Sequence, residues 1–102
     1  MNLGELARAI RMDLASELEA ISVYMAHADA TDNELAKAVL TDIANEERVH
    51  VGELTQLLRM LLADETAFLE EGSDEVRELA ASLGLGETTN EVGALTVGSL
   101  KE

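Results

Sequence analysis

The sequence predicts an all-α fold: two long antiparallel helices and a shorter C-terminal helix, closing into a four-helix bundle only when two chains pair. Three observations carry this. The 102 residues contain no Pro, no Trp, one Phe and one Tyr, and they are dominated by good helix formers such as Ala, Leu and Glu. Apolar residues recur at spacings of three and four along two stretches of roughly thirty residues, each about 45 Å long as a helix. A hairpin of two such helices is long and thin, and a chain this short buries little surface by itself. Self-association is the expected remedy.

Each element has its own signals. Asn2 followed by Glu5 reads as an N-cap with its box partner, opening a helix that runs to about Ala28. Ala30-Thr31-Asp32-Asn33 is a short polar link, and Thr31 with Glu34 offers a second capping box. A second helix follows from about Asn33 to Leu62. Asp64 is placed to cap a third, shorter segment, expected to break near Gly72-Ser73, resume at Asp74 and stop at Gly84. The domain plan is therefore a helical half-bundle over 1–84, a flexible linker over 85–93 and a terminal peptide over 94–102.

Composition excludes several partners. A formal charge of −14 disfavours nucleic acid and anionic membranes, and it favours local accumulation of cations. The absence of cysteine rules out disulfides and thiolate metal sites. No signal peptide precedes the first helix and no apolar run is long enough to span a bilayer, so a cytosolic location is expected.

The chemistry lies in three ionisable residues set among apolar ones. The first helix gathers Leu3, Leu6, Ile10, Leu14, Ile21, Tyr24, Met25 and Ala28 on one face, with Glu17 in its middle. The second gathers Ala36, Val39, Leu40, Ile43, Leu54, Leu57, Leu58 and Leu61, with Glu47 and His50 near its midpoint. An unpaired buried carboxylate is costly, so a buried salt bridge or a protonated acid is the ordinary reading. Against it, the only basic residues of these helices, Arg8, Arg11, Lys37, Arg48 and Arg59, project away from both faces. Glu-x-x-His alone arises by chance in acidic helices. Its mid-face placement, together with an equally mid-face Glu on the neighbouring helix, gives it meaning. Two-metal carboxylate sites in helical bundles take a Glu from each of two helices and Glu-x-x-His from each of two others. One chain supplies half of that set, and a two-fold dimer supplies four carboxylates and two imidazoles. Such oxygen-rich ligation suits iron or manganese rather than structural zinc.

Other residues are open to two readings. Tyr24 lies on the Glu17 face and either hydrogen-bonds a ligand or is a core tyrosine with its hydroxyl at the surface. Glu46 reads as part of a solvated face. Met12, Ser16, Glu19, Val23 and His27 form a further line on the first helix, suited to another subunit contact, where Glu19 and His27 can meet passing cations.

The chain ends Leu95-Thr96-Val97-Gly98-Ser99-Leu100-Lys101-Glu102. This run closely resembles the cargo-loading peptides that dock inside encapsulin shells, where extended apolar anchors suit pockets reading alternate side chains. A frayed terminus is the alternative. The helical region resembles the encapsulated ferritins, sharing Glu-Leu-Glu-Ala at Glu17 to Ala20, Tyr24, and Glu-Glu-x-x-His at Glu46 to His50. The resemblance covers Ile10 to Leu61 and the tail. It implies a ferritin-like ferroxidase whose di-iron centre, two Fe per subunit pair, forms between two chains of a ring of ten, inside a cytoplasmic encapsulin nanocompartment that stores the product. It assigns Glu17, Glu47 and His50 as iron ligands and Tyr24 as a residue hydrogen-bonded to them. Glu19 matches one acid of the family's metal-uptake site, but Ser16 and Val23 depart from its usual residues. Two other classes fit the helices: a dinuclear manganese or iron protein that removes peroxide, and a non-enzymatic helical adaptor delivered by its tail.

Overall fold

A computed structural model describes residues 1–86 and has three helices in this order: α1 Leu3–Ala30, α2 Glu34–Leu61 and α3 Ala63–Ser82. The proposed linker and terminal peptide, from residue 87 onward, lie outside the described residues. No helix among the described residues is long and apolar enough to cross a membrane.

α1 opens as its sequence predicts. The Asn2 side chain accepts from the Glu5 N–H at 2.8 Å, and the Glu5 carboxylate accepts from the Asn2 N–H at 3.2 Å. This reciprocal box satisfies two donors that a helix start would otherwise leave orphaned. α1 ends where Thr31 turns extended, its N–H donating to the His27 carbonyl at 3.2 Å. The second cap differs from expectation. Asn33, not Thr31, is the N-cap of α2, and its side chain accepts from the Ala36 N–H at 2.9 Å. Thr31 is already committed to closing α1, and its hydroxyl accepts from the Asn33 N–H at 3.1 Å. The link is thus only Thr31–Asn33, short enough to force α1 and α2 into an antiparallel hairpin.

The hairpin core is small in both number and size. Ala7, Ile10 and Ala28 of α1 and Ala44 of α2 are its buried residues. Three of the four are alanines, and Ile10 is the one large side chain among them. Larger side chains of the two faces, among them Leu14, Ile21, Met25, Leu40, Ile43, Leu54 and Leu58, are only half-buried. Val39 and Leu57, read from the sequence as part of the inward face, are exposed. The apolar arc of α2 is wider than one partner helix can cover.

α3 belongs to a second compact unit that begins at Asp64. It is continuous through Gly72-Ser73, where the sequence predicts a break. One glycine costs a helix about 1 kcal/mol, which the strong helix formers around it absorb, and Arg77 pairs with Asp74 at 3.1 Å one turn on. Asp64 falls inside the first turn rather than capping it. The helix stops at a Schellman cap: Gly84 takes φ 76°, its N–H donates to Ala81, and the Leu85 N–H donates to Ala80 at 2.7 Å.

Candidate metal centre

The hairpin sets Glu17, in the middle of α1, opposite Glu47 and His50, in the middle of α2. Glu47 and His50 are three residues apart and therefore share one face of the helix. The three side chains converge. His50 Nδ1 lies 3.5 Å from a carboxylate oxygen of Glu17 and 3.5 Å from one of Glu47. One ligand atom from each residue falls within 4.8 Å of the other two.

These spacings are long for hydrogen bonds between charged partners. They match donors arranged around one ion, since ligands about 2.1 Å from a divalent metal stand roughly 3–3.5 Å from one another. The donor set fits the same purpose. Two carboxylates and one imidazole offer two negative charges and no soft sulfur, the chemistry preferred by iron and manganese. The group facing both carboxylates is an imidazole, which in its neutral form is a common metal ligand.

Burial is uneven across the group. The carboxylates are mostly covered, with side chains 27% exposed at Glu17 and 19% at Glu47, but His50 is 49% exposed. Val39 and Leu57 flank His50 on the same side of α2, and they too are open. The open side of the cluster thus coincides with uncovered apolar surface.

Glu19, His27 and Glu46 are not part of this cluster. Glu19 and Tyr24 line a shallow groove on α1 together with Ser16, Ala20 and Val23. Glu19 is the only carboxylate in that lining. His27, in the last turn of α1, and Glu46 are exposed. The sequence missed the core alanines, Ala7 and Ala44, which are buried in the hairpin. Their signal is weak, since alanine is common on any helix face.

Comparison with known proteins places this geometry in context. The rubrerythrin family model matches residues 6–92. The encapsulin nanocompartment cargo protein EncC of Myxococcus xanthus is 39% identical over 111 residues, spanning 95% of this chain and 85% of its own length. A ferritin-like–encapsulin shell fusion protein of Pyrococcus furiosus is 37% identical over 75 residues, covering 74% of this chain but 22% of the much longer fusion. The crystal structure of an encapsulated ferritin domain from Pyrococcus furiosus matches with a TM-score of 0.77 at 34% identity, covering 79% of this chain and 83% of that one.

Proposed function

The chain belongs to the rubrerythrin family and has the helical fold of an encapsulated ferritin domain; we propose that it is a ferroxidase, oxidising Fe(II) to Fe(III) as cargo of an encapsulin shell. The observation that carries this reading is the convergence of Glu17, Glu47 and His50 within 4.8 Å, the carboxylates mostly covered and His50 open. Three ligands from one chain are half of a two-metal carboxylate site. A second copy, related by a two-fold axis, supplies the other half and converts two hairpins into a four-helix bundle. The same pairing covers His50, Val39 and Leu57. Rings of ten such chains are the assembly that the family resemblance implies.

Bound iron supplies the one-electron chemistry, with dioxygen as the electron acceptor. The protein's part is to hold the metal and exclude competing reactions. Glu17 and Glu47 provide the negative charge that offsets the growing positive charge of the metal on oxidation. His50 would be the third residue to hold the ion. Tyr24, one face-repeat along α1 from Glu17, is assigned to orient a ligand carboxylate from the paired state.

Delivery is assigned to Leu95–Leu100. The match to EncC covers 95% of 102 residues and so leaves out about five, which means that it reaches into this segment. The relative is itself named as encapsulin cargo. The compartment in which the enzyme acts is then the shell interior, in the cytoplasm.

The test is direct. Fe(II) added in air to the purified chain gives a growing ferric absorbance, and His50→Ala abolishes most of it. Parental rates in Glu17→Ala, Glu47→Ala and His50→Ala alike would remove the site assignment. The family name also admits a peroxide-consuming protein. Replacing dioxygen with peroxide under anaerobic conditions separates the two, since the ferroxidase reading requires turnover with dioxygen alone.

A further inference from the structure

No further inference is drawn: the strongest candidate, the shallow groove on α1 lined by Ser16, Glu19, Ala20, Val23 and Tyr24, restates the metal-uptake site that the family resemblance already implies.

Discussion

His50 is the residue on which both carboxylates converge, 3.5 Å from each, and its replacement separates activity from stability. Removing the imidazole deletes a proposed metal ligand but no buried packing, since the side chain is half exposed. Metal-free His50→Ala is therefore expected to melt within about 0.5 kcal/mol of the parent, the range of surface substitutions. With metal the two diverge. A ligand that binds only the folded chain at a hundred times its Kd adds about 2.7 kcal/mol, and His50→Ala should lose that gain. Thermal melts with and without a divalent ion that does not oxidise, such as Co(II), measure both numbers. Tyr24→Phe is a milder probe. It keeps every ligand and the ring, so iron oxidation should fall by about tenfold at most. A larger loss would make Tyr24 a ligand in its own right.

The helices themselves explain why their caps and glycines matter unequally. Asn2→Ala removes an acceptor that satisfies the Glu5 N–H and should cost about 1 kcal/mol. Gly52→Ala should do the reverse. A Cβ at Gly52 meets nothing within 4 Å in the hairpin, so the substitution recovers helix propensity, roughly 0.5–1 kcal/mol, visible as a raised denaturation midpoint. A lowered midpoint would mean that another chain packs against Gly52. Much of this level was legible beforehand, because capping boxes, 3.6-residue periodicity and a terminal glycine act locally. The convergence of Glu17, Glu47 and His50 was legible for the same reason: an ionisable residue on an apolar face conflicts with its surroundings in one dimension as in three. Thr31 was misread because two residues competed for one cap, and their choice depends on the backbone of the preceding helix. Gly72 was misread because a helix is a cooperative element that one poor residue weakens without breaking. Ala7 and Ala44 were invisible, since only packing distinguishes a buried alanine from an exposed one.

At the scale of the whole molecule, two predictions follow from the proposal that each chain holds half a ligand set. Metal bound across two copies favours the pair by mass action, so native mass spectrometry of dilute protein should show larger species after Fe(II) is added under nitrogen. A monomer that retains two ions would contradict the shared site. Deleting Leu95 to Glu102 should leave oxidation intact and abolish co-purification with a co-expressed encapsulin shell, and loss of oxidation instead would assign the tail to the fold. The proposed sharing of the site between two hairpins, each bringing Glu17, Glu47 and His50, also has a genetic meaning. If an inactive copy of the chain is made alongside an equal amount of the parent, random pairing leaves about a quarter of the pairs with two intact halves. Cells carrying both copies would then oxidise less iron than cells carrying the parent alone at half dose. A ligand substitution in this protein is expected to behave as a dominant allele.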